Sequence, residues 1–129
     1  TFQLAPSSIM NFIEGTRFTA KKKRDQNSPY QHLLKPKAGG ISLVVGAMNQ
    51  HFTHLLDVTI VYSDKHHSLW DFLSHRIHSI QIHIRELPIP KRFLHSSLAQ
   101  DVDHQTEFRT WINQQWLEKD KLITQLASK

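Results

Sequence analysis

The run Asn11-Phe12-Ile13-Glu14-Gly15-Thr16-Arg17-Phe18-Thr19 places a carboxylate, a glycine and a guanidinium in close succession behind a short apolar stretch. Gly15 can turn the backbone sharply and let a ligand approach, because it carries no Cβ. Arg17 offers a planar fork of donors that matches a phosphate or a carboxylate. Glu14 can steady that fork or accept a proton from a ligand hydroxyl. A plainer reading is a strand end closed by a local ion pair, and these residues alone leave both readings open. Ile9-Met10-Asn11-Phe12-Ile13 has the apolar character of a buried strand. The expectation is therefore a strand over residues 9–13 that delivers 14–17 at its carboxyl end.

Further cations crowd the same region. Lys21, Lys22, Lys23, Arg24, Lys35 and Lys37 join Arg17 there, opposed only by Asp25, and the whole chain carries a formal charge of +5. Such a cluster suits nucleic acid, anionic lipid or a phosphorylated small substrate. Nucleic-acid readers generally add a recognisable module or base-stacking aromatics, and within residues 21–37 the only Phe, Tyr or Trp is Tyr30. Residues 21–24 read equally well as a solvated loop. Arg17 and Lys37 are the better ligand candidates, since each sits beside a glycine or a proline.

Other residue types weigh less. Ten histidines invite a metal, with His51 and His54, His66 and His67, and His75 and His78 as pairs. None has a second half with a carboxylate or thiolate at ligand spacing, so scattered surface histidines are the simpler account and no metal is expected. The chain has no cysteine, which excludes a disulfide framework and a thiolate site. Trp111, Trp116 and Phe108 could line an acyl or membrane-facing groove, but a helical stripe of this kind more often packs a core. Trp70 also reads as packing.

The elements that must position these groups alternate. At 129 residues and 39% hydrophobic content, the chain is one domain or part of one. After the first strand, a long polar loop over about 15–37 argues by its length for a functional role. Ile41, Val44, Val45, Met48 and Phe52 fall on one face of a helix. Leu56, Val58, Ile60 and Tyr62 alternate with Asp57 and Thr59 as a second strand. Ser68-Leu69-Trp70-Asp71 has capping-box spacing, with Leu69, Phe72, Leu73 and Ile77 lining the helix that follows. Ile80, Ile82 and Ile84 alternate in a half-exposed edge strand that Leu87-Pro88-Ile89-Pro90 ends. Phe108, Trp111, Ile112, Leu122, Ile123 and Leu126 stripe a last helix starting near Asp103. This order predicts an α/β fold with a largely parallel sheet, in which ligands gather beyond the carboxyl ends of strands. No apolar run approaches the roughly 20 residues of a membrane-spanning helix.

The motif Phe12-x-Glu14-Gly15-Thr16-Arg17-Phe18-Thr19 resembles the third conserved block of the glycerophosphate and lysophospholipid acyltransferases, Phe-Pro-Glu-Gly-Thr-Arg. His32-Leu33-Leu34-Lys35-Pro36-Lys37-Ala38-Gly39-Gly40-Ile41 is similar to the Leu-Leu-Pro-Arg-x-x-Gly-Phe segment that follows that block. The resemblance runs on through Asp57-Val58-Thr59-Ile60-Val61-Tyr62 and into a tail from Trp111 to Glu118-Lys119-Asp120. It is strongest for the lysocardiolipin-type and YihG-like subgroup. The fourth block departs from the pattern, since Val58-Thr59-Ile60 lacks the proline of Val-Pro-Val.

The resemblance implies the C-terminal portion of a three-layer α/β acyltransferase domain. Acyl-coenzyme A or acyl carrier protein would donate through a thioester, with no other cofactor, and a lysophospholipid hydroxyl would accept. Glu14, Gly15, Thr16 and Arg17 would bind the acceptor phosphate, with Lys37 as a secondary contact. The family's Asn-His-x-x-x-x-Asp signature, whose histidine acts as general base, is not in this chain. His66 and Asp71 have its spacing but not its context. The expectation is thus that the catalytic pair lies upstream and that this chain alone is inactive. The resemblance also implies work at the cytoplasmic face of a membrane, the bacterial inner membrane, without nucleic acid. Cutting such a sheet would leave a strand edge and an apolar face uncovered, so self-association is expected. The alternative is a non-catalytic basic module that binds anionic lipid or nucleic acid.

Overall fold

The structure is a computed structural model, and it describes residues 8–48, 51–62, 70, 73–75, 79–94 and 101–128. Within these lie α1 (Ala20–Asp25), α2 (Ala38–Met48), β1 (His54–Tyr62), β2 (Ile80–Pro88), a 3-10 turn (Lys91–Phe93) and α3 (Val102–Ala127). The protein is mixed helix and strand, as the alternating pattern predicts. Its sheet, among the described residues, has two strands that pair antiparallel in register from His54 opposite Pro88 to Tyr62 opposite Ile80. Among the described residues no parallel, three-layer sheet is seen. The capping box at 68–71 and most of the helix after it lie outside the described residues, as do His66 and Asp71. Trp70, expected to pack, is 78% exposed.

The helices follow their apolar periodicity. Ile41, Val45 and Met48 recur every three or four residues along α2 and are buried. Phe108 and Ile112 do the same on α3, which Asp101 starts by accepting the backbone N–H groups of Asp103 and His104. Val45 and Ile41 meet Phe93, Phe108 and Ile112 in the main core, with Phe93 and Phe108 edge-to-face at 5.1 Å. Each of these buried side chains contributes about 1.5–3 kcal/mol relative to exposure. Tyr30, Leu33 and Trp116 form a second cluster beside the first. Trp116 and Phe108 are therefore core, and Trp111 is half-buried against the main cluster.

Two expectations fail for physical reasons. Residues 8–12 form no strand and are exposed, with Phe12 at 79%. An isolated extended segment has no ladder to hold it, and none of the described strands pairs with it. The loop at 15–37 is not continuous either. Thr19 accepts the Lys22 N–H at 3.1 Å as an N-cap, and residues 20–25 wind into α1.

The alternation in β1 is as predicted, but its faces are reversed. Thr59 is 1% exposed and the Asp57 side chain is largely buried on the side that meets α3. Leu56, Val58, Ile60 and Tyr62 lie on the open side, joined there by Ile80, Ile82 and Ile84 of β2. The inner face is polar because charges from β2 and α3 answer it. Arg85 reaches Asp57 Oδ2 through Nη2 at 2.7 Å and Nε at 3.1 Å, and Lys119 donates to Asp57 Oδ1 at 2.7 Å. Lys119 also donates to the Val58 carbonyl at 3.0 Å and lies over the Trp116 ring.

Candidate anion-binding site

Ile13 fixes the site, because it packs against both core clusters and the next residues must then turn outward. The Gly15 N–H donates to the Phe12 carbonyl at 2.9 Å, closing a tight turn. Gly15 itself sits at φ +72°, a left-handed conformation that a side chain rarely adopts. From the far side, the Lys37 N–H donates to the Ile13 carbonyl at 2.8 Å. The Lys37 side chain then lies along the turn, and a Cβ built on Gly15 would stand 3.4 Å from its Nζ and 3.5 Å from its Cδ. The turn and Lys37, 22 positions apart in sequence, are thus one surface.

Thr16 and Arg17 are set by α1. Lys22 Nζ donates to Thr16 Oγ1 at 2.6 Å and to the Arg17 carbonyl at 3.3 Å. Lys23 reaches the Gln31 carbonyl at 3.1 Å. Two cations of the 21–24 run therefore hold backbone and hydroxyl groups rather than standing free. The Arg17 side chain is exposed, and its guanidinium has no partner among the described residues.

Glu14 does not steady Arg17. Its Oε1 accepts the Leu34 N–H at 3.2 Å, and among the described residues it pairs with no cation. Burial pushes the Glu14 carboxyl above the ordinary glutamate range. Three influences oppose this: the Leu34 N–H, the charge of Lys119, and the indole N–H of Trp116, which bonds to the Leu34 carbonyl and also faces the carboxylate. Of the four residues in the motif, Gly15 and Arg17 are exposed. Thr16 is exposed but engaged by Lys22, and Glu14 faces inward.

The sequence pattern did not assign a role to the end of α3, where three buried side chains support this surface. Asp120 accepts the Gln31 N–H at 2.8 Å and the His32 N–H at 2.7 Å. Trp116 Nε1 donates to the Leu34 carbonyl at 3.0 Å. Lys119 ties the same helix turn to β1 through Asp57. The signal was present, since Ile112, Trp116, Asp120 and Ile123 share a helical face, and a charge on that face must be answered. A groove lined by Ala38, Gly39, Ser42, Leu43, Phe108 and Arg109 opens between α2 and α3, and includes none of residues 14–17.

The arrangement can hold an anion. It offers a turn without a Cβ, an ammonium laid across it and, two residues on, the exposed Arg17. Among the described residues it holds no paired base and nucleophile.

Comparison with known proteins agrees in kind. Over 106 residues, 74% of the chain, the sequence is 28% identical to a protein of Schizosaccharomyces pombe described as an uncharacterized acyltransferase. The matched part is 28% of that protein's length. The likeness is to an acyltransferase and goes no finer. No protein-family model matches the sequence, and no solved structure matches it. Among the described residues, no helix is long and apolar enough to cross a membrane.

Proposed function

We propose that this chain is the acceptor-phosphate-binding portion of an acyltransferase that moves an acyl chain from a thioester donor to a lysophospholipid hydroxyl. The observation that carries the reading is the left-handed Gly15 turn with Lys37 laid across it, followed two residues on by the exposed Arg17, whose guanidinium has no partner among the described residues. Backbone and cations of this kind suit a phosphate monoester, with Arg17 supplying a bidentate contact and Lys37 a point charge. The likeness to an acyltransferase supports the reaction class, and the Glu-Gly-Thr-Arg resemblance supports the acceptor. The histidine–aspartate pair that would deprotonate the hydroxyl is supplied from outside these residues, so the chain alone transfers no acyl group. Donor thioester and membrane surface meet the enzyme through other parts.

The exposed basic residues Lys21 and Arg24 on α1 favour a second reading, a module that binds any polyanion. Isothermal titration of the 129-residue chain with glycerol 3-phosphate, glycerol and heparin separates the two. The proposal expects glycerol 3-phosphate to bind, glycerol not to bind, and Arg17→Ala to abolish the difference. Heparin binding with a steep salt slope, insensitive to Arg17 and without glycerol 3-phosphate binding, supports the basic module instead.

A further inference from the structure

The cations of the candidate site come from two chain segments. Residues 26–37 contain no helix or strand, so their backbone groups must find partners elsewhere. Within residues 31–34, four of these groups are answered by α3 or by Glu14. Asp120 answers two consecutive N–H groups, Gln31 and His32, with its two oxygens. The Leu34 peptide groups are held on both sides, with the N–H on Glu14 and the carbonyl on the Trp116 indole. Leu34 itself is fully buried. Lys35 follows directly, and Lys37 closes the segment on the Ile13 carbonyl.

Trp116 and Asp120 are four residues apart and so share one helix face. Each is about nine-tenths buried, and the bonds of each side chain to backbone go to this one segment. A carboxylate buried on a helix has a desolvation cost, which an ordinary core position would avoid by carrying a leucine. Its two short charge-assisted bonds set both the height and the rotation of the 31–34 segment along α3.

We infer that Trp116 and Asp120 are positioning residues that register the 31–37 segment against the Gly15–Arg17 turn, so that two separate stretches of chain act as one phosphate receptor. Glu14 belongs to the same device, gripping Leu34 from the turn side rather than touching the ligand. The inference rests on the proposed phosphate site and adds which residues give it its geometry. A receptor assembled this way is selective for a small phosphate monoester, because only such a ligand needs Lys37 and Arg17 at a fixed separation. A long polyanion adapts to either placement.

The test uses the 129-residue chain and titrates glycerol 3-phosphate and heparin against four variants. Trp116→Phe keeps the ring among Tyr30 and Leu33 but removes the donor to Leu34. Asp120→Asn keeps the size and leaves a single acceptor oxygen for two N–H groups. Tyr30→Phe is the control, since it loosens the same cluster through its hydroxyl contact with Asn113 without touching the 31–34 peptides. Arg17→Ala tests the site itself.

Glycerol 3-phosphate affinity should fall about tenfold in Trp116→Phe and in Asp120→Asn, within the range that small misplacements of a binding group produce. Heparin affinity should stay within about twofold of wild type, as expected of screened, non-directional attraction, and Tyr30→Phe should retain its glycerol 3-phosphate affinity. Equal affinities in Trp116→Phe and Tyr30→Phe overturn the inference. If Asp120→Asn does not fold, Trp116→Phe decides alone. Loss of affinity in Arg17→Ala with retention in Trp116→Phe overturns the positioning role only. Retention in Arg17→Ala overturns the phosphate site and the inference with it.

Discussion

Replacing Asp57 with alanine should destabilise the protein more than any single change at the candidate site. Asp57 is the shared acceptor of Lys119 and Arg85, and all three side chains are at least four-fifths buried. Without the carboxylate, Arg85 keeps the Gln115 carbonyl at 3.2 Å and the exposed Glu118 at 3.4 Å. Lys119 keeps only the Val58 carbonyl and the face of Trp116. Breaking a buried pair from one side typically costs about 3–5 kcal/mol, because the partner charge is left desolvated. Arg85 is partly rescued, so the lower end, about 3 kcal/mol, is expected. For a chain of this size that is a fall in melting temperature of roughly 10 °C. Urea unfolding followed by tryptophan fluorescence measures it, with the slope compared to exclude a change in the unfolded state. Asp57→Leu combined with Lys119→Met should recover most of the loss, since apolar replacement of both partners removes the stranded ammonium. A loss below about 1 kcal/mol for Asp57→Ala would refute the claim that this network fastens α3 to the sheet.

Gly15→Ala should cost about 1–2 kcal/mol from the left-handed backbone and should also displace the Lys37 amine, so glycerol 3-phosphate binding should weaken more than stability alone explains; the same titration, paired with unfolding, checks both. Because burial raises the Glu14 pKa, its folded form resists ionising, and its contribution to stability falls as pH rises from the unfolded value through the raised folded one. Glu14→Gln should therefore gain relative to wild type as pH rises above the ordinary glutamate range in urea unfolding, and a constant difference would contradict the shift. The open face of Val58, Ile60, Ile82 and Ile84 should drive association of the chain with a second copy, so Ile82→Lys should shift sedimentation towards monomer; a wild-type chain that stays monomeric at high concentration refutes this.

Helix α2 and helix α3 were legible because burial follows Ile41, Val45, Phe108 and Ile112 at helical spacing, and such periodicity depends on local geometry alone. The strand boundaries were legible from alternation and from the prolines after Leu87. Which side of β1 is covered was not, because Asp57 is drawn inward by Arg85 and Lys119, which lie 28 and 62 positions away. Pairing direction was lost for the same reason, since a strand's alternation is identical in parallel and antiparallel sheets. Helix α1 was hidden by its polarity, its one signal being Thr19 three residues ahead of Lys22. At the site, the turn at Gly15 could be read from residue type. The inward turn of Glu14 could not, because its partner is a backbone N–H at Leu34, and a backbone group leaves no mark in side-chain pattern.

The most direct test compares Arg17 with its neighbours in an active acyltransferase that carries this chain, with kcat/KM for the lysophospholipid acceptor as the readout. Arg17→Ala should lose about 2–4 kcal/mol of transition-state stabilisation, the scale of a charge-assisted contact in a desolvated site. Arg17→Lys should remain impaired, because it keeps the charge and loses the fork. Lys21→Ala and Arg24→Ala should stay close to wild type, since exposed cations attract without direction and are screened. Lys22→Ala should fall between, through its hold on Thr16 and the Arg17 carbonyl. An Arg17→Ala enzyme near wild type, with activity abolished by Lys21→Ala and Arg24→Ala, would contradict the account and move the site onto α1.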